Sequence, residues 1–152
     1  MVGIGASAGG LEAFRKLLEH LPVDTGMAFV LVQHLDPTHE SILTELLSRS
    51  TRIPVSEVAD GMRVEPDRVY LIPPNTNMAI AEGILRLLPR EEGRGRHRPI
   101  DYFLRTLAED QRHRAIGVIL SGTASDGTLG LEAIKAEGGI TFAQEAKSAK
   151  YD

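Results

Sequence analysis

The sequence predicts an α/β protein: a three-layer α/β/α, doubly wound fold around a mostly parallel sheet, with an antiparallel hairpin inserted in the middle. Three observations predict it. Apolar runs alternate with amphipathic stretches at both ends of the chain. A glycine-rich turn, "GIGASAGG" at residues 3–10, follows the first apolar run. The alternation breaks in the middle, at Pro73-Pro74-Asn75 and at Glu82-Gly83.

The elements follow in order. "MVGIGA", residues 1–6, reads as a short buried strand entering the glycine turn. In "LEAFRKLLEHL" the apolar residues Leu11, Phe14, Leu17, Leu18 and Leu21 recur at helical spacing. The continuous run Met27 to Val32 fits a strand covered on both faces, as in a parallel sheet. "HESILTELLSR" is amphipathic again, and Pro54 stands just past its end. Strand, helix, strand, helix in this order predicts a right-handed parallel crossover. Residues 69–88 read as a hairpin with Glu82-Gly83 near its turn, and "EEGRGRHRP", 91–99, reads as a polar surface loop. The α/β pattern then returns: "IDYFLRTLAEDQ" as a helix with Asp101 near its start, "AIGVILSG" as a buried strand, "SDGTLGLEAIKAEG" as a helix stopped by Gly138-Gly139, and "ITFAQ" as a strand.

The 152 residues suit one domain with its own core. A net charge of −4 gives no basic field to draw the chain to nucleic acid. The absence of cysteine excludes disulfides, thiolate metal sites and a cysteine nucleophile. No apolar run approaches the roughly 18 residues of a membrane span, and no secretory signal opens the chain. The expectation is a cytoplasmic domain without membrane insertion.

The opening turn fits two motifs. Gly3, Gly5 and Ala8 match G-x-G-x-x-A, a dinucleotide-binding turn; Gly5, Ser7 and Gly9 match G-x-S-x-G, a serine nucleophile elbow. A dinucleotide site wants an acid at the end of the second strand. Asp36 is close to that place, but Gln33-His34 comes first. A nucleophilic serine needs a general base, an acid to orient the base, and N–H donors for the oxyanion. Ser7 lies between a strand end and a helix start, with the N–H of Ala8 as the obvious donor and with Gly5, Gly9 and Gly10 shaping the turn. The elbow comes first in the chain, which excludes the α/β-hydrolase order.

Ligands in open parallel sheets meet the carboxyl ends of strands. Among five histidines that rule selects His34, directly after "AFVLVQ", with His39 next in line. Asp126, after the strand "AIGVIL" and at a helix start, supplies an acid. Each has a plainer reading: Ser7 and Asp126 as helix N-caps, His34 as a structural histidine. What favours a triad is convergence, since all three follow predicted parallel strands.

The ordered stretches "GIGASAGGLEA", "VLVQHLDP", "VYLIPPN", "HRPID" and "GVILSGTASDGTLGLEAIKAEGG" resemble the catalytic domain of the chemotaxis protein-glutamate methylesterases, the CheB type, from residue 2 to the last. The resemblance implies a Ser-His-Asp triad at Ser7, His34 and Asp126, hydrolysis of glutamate γ-methyl esters on a chemoreceptor, deamidation of glutamine by the same acyl chemistry, and no cofactor or metal. Ala8 stands where the family often has Thr. "SGTASDG" replaces T-G-M-G-x-D-G, which puts Thr123 in place of a Met near the oxyanion site. The stretch looks more like forms fused to methyltransferase and sensor kinase modules. The resemblance also implies one domain over 1–152, without the family's receiver domain and without its last strand and helix. Two rivals stand beside it: a catalytically silent docking domain with the same fold, and a nucleotide-binding domain using the same turn.

Overall fold

The computed structural model describes residues 1–6, 10–33, 40–89, 98–120 and 126–144. In chain order the elements are β1 (Val2–Ala6), α1 (Gly10–Glu19), β2 (Phe29–Gln33), α2 (Glu40–Ser50), β3 (Val55–Glu57), β4 (Met62–Arg63), β5 (Val69–Leu71), β6 (Thr76–Ala81), β7 (Ile84–Pro89), α3 (Pro99–Gln111), a 3₁₀ turn (Arg112–Arg114), β8 (Ile116–Leu120), α4 (Thr128–Ala136) and β9 (Ile140–Ala143). The main sheet has six strands in the order β3-β5-β2-β1-β8-β9, and every described pairing in it is parallel. A separate three-stranded antiparallel sheet has the order β4-β7-β6.

The layers follow from strand alternation. Along β1, Val2, Ile4 and Ala6 face one side and pack with Phe14 and Leu18 of α1 and Leu43 and Leu47 of α2. Gly3 and Gly5 face the other side, where α3 lies. The second core joins Val30 and Val32 of β2 to Phe103, Leu104 and Leu107 of α3, Ile134 of α4, and Met78 and Ile80 of β6. In α3 the buried residues Ile100, Phe103, Leu104, Leu107 and Ala108 recur at the spacing of one helix face. The small sheet is tied to this layer by the Thr106 hydroxyl, which accepts the Ile80 N–H at 3.1 Å.

The hairpin is shorter and later than the sequence reading. Val69–Leu71 is not one of its strands; β5 pairs with β2 and β3 in the main sheet, and the hairpin is β6–β7 over 76–89. The reason lies in burial: all three residues of β5 are buried, as a strand covered on both faces requires. Glu82-Gly83 forms the turn, both with positive φ (54° and 74°), the backbone of a two-residue hairpin loop. Beyond α4, Gly138 at φ 85° ends the helix as expected.

Candidate active site

β1 is central. Its Ala6 is level with Gln33 of β2 on one side and with Leu120 of β8 on the other. From β1 the sheet grows outward through β2 in one direction and through β8 in the other, so strand order reverses at β1/β8. In open parallel sheets such a switch point, at the carboxyl edge, is where ligands bind. Ser7 and His34 are the residues immediately after β1 and β2. Ser7, Ala8, Gly9, His34, His39 and Thr123 lie outside the described residues. Gly5, Gly10 and Asp126 lie within them.

Gly5 is inside β1, and Gly3 with it. Their missing side chains make room for α3: a Cβ on Gly3 would stand 2.8 Å from methyls of Leu104 and Leu107, and one on Gly5 would stand 2.4 Å from Ile100 Cγ2. The G-x-G half of the opening motif therefore has a packing cause within the strand. Gly10 opens α1, where a Cβ would come within 2.7 Å of Ala6 Cβ and 3.0 Å of the Leu120 carbonyl oxygen. It brings the helix start down onto the ends of β1 and β8.

Asp126 is buried beyond the end of β8. Its carboxylate does not cap its own helix. Instead Oδ2 accepts the N–H of Ile100 at 3.2 Å and Oδ1 accepts that of Asp101 at 2.8 Å. These are donors of the first turn of α3, whose own preceding residue, Arg98, offers no side-chain cap. The N-cap reading of Asp126 thus applies to the neighbouring helix.

Two buried polar residues at this edge went unselected in the sequence. Asp101, only 3% exposed, accepts two N–H groups from the start of α4. Its signal was a carboxylate in a first helical turn behind Pro99. Gln33 ends β2 with its Nε2 buried and without a hydrogen-bond partner among the described residues. Its signal was a polar residue closing an apolar run. Among the described residues, no group of three or more His, Asp or Glu side chains is placed to hold a metal ion, and no helix is long and apolar enough to cross a membrane.

Residues 2–152 match the family described as CheB methylesterase. A protein-glutamate methylesterase/protein-glutamine glutaminase of Burkholderia lata is 39% identical, over 99% of this chain and 45% of its own. One of Photorhabdus laumondii is 34% identical, over 97% of this chain and 43% of its own. An uncharacterized 104.1 kDa protein of Rhodobacter capsulatus is 43% identical over 72% of this chain, a stretch that makes up 11% of that protein. The chain thus spans less than half the length of these relatives. Among solved structures, the CheB methylesterase catalytic domain of Thermotoga maritima superposes with a TM-score of 0.89 at 28% identity, covering 99% of this chain and 82% of that one.

Proposed function

The chain belongs to the CheB methylesterase family, and from that membership we propose that it is the hydrolytic domain of a protein-glutamate methylesterase, acting on glutamate γ-methyl esters of a methylated chemoreceptor. Ser7 Oγ attacks the ester carbonyl carbon while His34 takes its proton. The N–H of Ala8 stabilises the oxyanion. The tetrahedral intermediate collapses, the bond to the methoxy oxygen breaks, and His34 protonates the departing group to methanol. Water, deprotonated by His34, then opens the acyl-enzyme and frees the glutamate carboxylate and Ser7. Asp126 holds the imidazole in the productive tautomer and stabilises its cation. A glutamine side chain enters by the same acyl route and leaves ammonia.

One observation supports this reading above the others: Ala6, Gln33 and Leu120 lie level at the carboxyl ends of β1, β2 and β8, and the buried Asp126 carboxylate caps the helix whose Ile100 packs on Gly5 of β1. Neighbouring strands lie about 4.8 Å apart, a spacing that a serine–histidine–aspartate relay spans. The partners follow from the relatives. The Rhodobacter protein carries a similar stretch within a much larger chain, which supports a domain working in cis with further modules such as a methyltransferase or a sensor kinase; the reading places the work in the cytoplasm.

The test is methanol release from a methylated receptor peptide by the full-length protein that carries this domain. Release by the wild type and its loss in Ser7→Ala, with the fold intact, is the expected result. Equal release by the two would leave the silent docking domain as the reading.

A further inference from the structure

Asp101 and Asp126 exchange caps. Asp126 receives the Ile100 and Asp101 N–H groups of α3. Asp101 Oδ1 in turn receives the N–H groups of Gly127 and Gly130 at the start of α4, both at 2.8 Å. α4 has no side-chain cap from its own N-cap residue, Gly127. Each helix start is therefore closed by a carboxylate from the other. Both aspartates are buried, yet between them they take four backbone donors and face two positive helix ends, which offsets much of the cost of two desolvated charges. Among the described residues, Arg98 brings a cation to the pair: its Nη1 lies 3.5 Å from Asp101 Oδ2.

The local sequence is shaped for this exchange. Gly127 holds φ at 112°, a backbone that L side chains rarely adopt. Gly130 lets α4 lie against α3, since a Cβ there would stand 2.5 Å from Leu104 Cβ. That close approach brings the Gly130 N–H within reach of Asp101. Asp126 is joined directly to Gly127, so the bond from Gly127 to Asp101 fixes the backbone that carries the Asp126 side chain.

We propose that Asp101 is a positioning residue that sets the place and orientation of the Asp126 carboxylate at the carboxyl edge of the sheet. The proposal rests on the triad reading, in which that carboxylate orients His34. Without Asp101, two N–H groups at the head of α4 lose their acceptor, and residues 126–127 lose the anchor that ties them to α3. Asp126 then reaches the imidazole with the wrong distance or angle, while Ser7 and its oxyanion donor are untouched.

The experiment uses the full-length protein with Asp101→Ala, Asp101→Asn and Asp126→Asn. Two quantities are read: the rate at which p-nitrophenyl acetate acylates Ser7, per folded molecule, followed by release of p-nitrophenolate, and the titration of the His34 imidazole by NMR. Asp101→Ala is expected to slow acylation by about tenfold to a hundredfold, the scale of a small misplacement in a catalytic constellation. It should also lower the His34 midpoint, in the same direction as Asp126→Asn. Asp101→Asn should recover most of both, because its amide oxygen accepts the same two N–H groups. Asp101→Ser, which shortens the arm, covers the case where alanine prevents folding, and the same slowing is expected of it. A folded Asp101→Ala or Asp101→Ser with wild-type acylation and a wild-type His34 titration overturns the proposal. If the wild type itself shows no Ser7-dependent acylation, the esterase reading fails, and the His34 titration alone decides on Asp101: a midpoint indifferent to its substitution overturns the positioning role.

Discussion

Ile100 fills the space that a side chain on Gly5 would need, with its Cγ2 2.4 Å from where the Cβ would stand. The contact sets how closely α3 lies on β1, and α3 carries the two N–H groups that hold Asp126. Gly5→Ala is expected to destabilise the domain by about 1–3 kcal/mol, the usual range for overpacking a filled core. Ile100→Ala removes the opposing methyl, so the double variant should be more stable than the sum of the two losses predicts. Denaturant unfolding of the four proteins of this cycle measures the difference.

Asp126→Asn separates cap from catalysis. An amide keeps one oxygen for the Asp101 or the Ile100 N–H and turns a donor toward the other, which costs about 1–3 kcal/mol for a buried group left unsatisfied. Turnover should fall much further, by up to roughly ten-thousand-fold as tautomer control is lost. A circular dichroism melt and the methanol assay on the same sample check the two effects. Equal turnover by the two proteins would remove Asp126 from the triad.

Glu82 holds φ at 54° in the β6–β7 turn. A glutamate pays for that backbone where asparagine does not, and Asn-Gly is the favoured pair for such a loop. Glu82→Asn should raise stability by about 0.5–1 kcal/mol, the scale of relieving one left-handed residue. Asp110 continues to accept the N–H groups of residues 82 and 83, which in the wild type lie at 2.6 Å and 3.2 Å. The melting temperature should rise while methanol release stays the same.

On the exposed face of α1, the Arg15 guanidinium is hydrogen-bonded to Glu12 and also paired with Glu19. That hydrogen bond holds the Glu12 carboxyl below the ordinary value of 4.5. A carboxylate depressed in the folded state binds fewer protons there than in the unfolded chain. Its contribution is therefore present above the unfolded pKa and lost as pH falls through the lower folded one. Arg15→Gln should return the Glu12 midpoint, followed by carboxyl carbon NMR, toward its ordinary value, and 1 M salt should move it the same way.

The rate of the proposed reaction should fall on the acid side as His34 takes up its proton. An unperturbed histidine titrates near about 6.5, and a carboxylate partner raises that value. Asp126→Asn should therefore move the acid limb of the rate profile to lower pH. A limb that stays in place would mean that another group sets it.

The parallel sheet was legible because its strands β1, β2 and β5 are buried on both faces. The apolar runs of β1, β2 and β8 survive without alternation, and the amphipathic helices between them leave little choice of topology. β3 and β4 were not legible: three residues and two residues carry no period, and both are held by pairing with strands distant in sequence. β5 was read as part of the hairpin because "VYLIPPN" looks the same before a tight turn as at the end of a buried strand. At the site, Asp126 could be selected from its position after a strand. Its donors could not, because they are N–H groups 25 and 26 residues earlier in the chain. Asp101 shows the same limit. Its carboxylate reads as a first-turn acid of its own helix, and only the packing of α3 on α4 reveals that it serves the other.

β1 is made before either of its partner strands and is finished late. Val2 pairs with Phe29 on one edge and with Ile116 on the other. At about 5–20 residues per second, the ribosome takes several seconds to pass from the first partner strand to the second. Through that interval the strand leading to Ser7 has one edge satisfied and one bare, and α3 is made before α4, the helix that packs on it. Pairings so distant in sequence carry a loop-closure cost before any contact repays it, and they form late. The nascent chain therefore passes through a stage in which β1 stands without the Asp126 carboxylate, and the proposed hydrolysis waits for the arrival of β8 and α4.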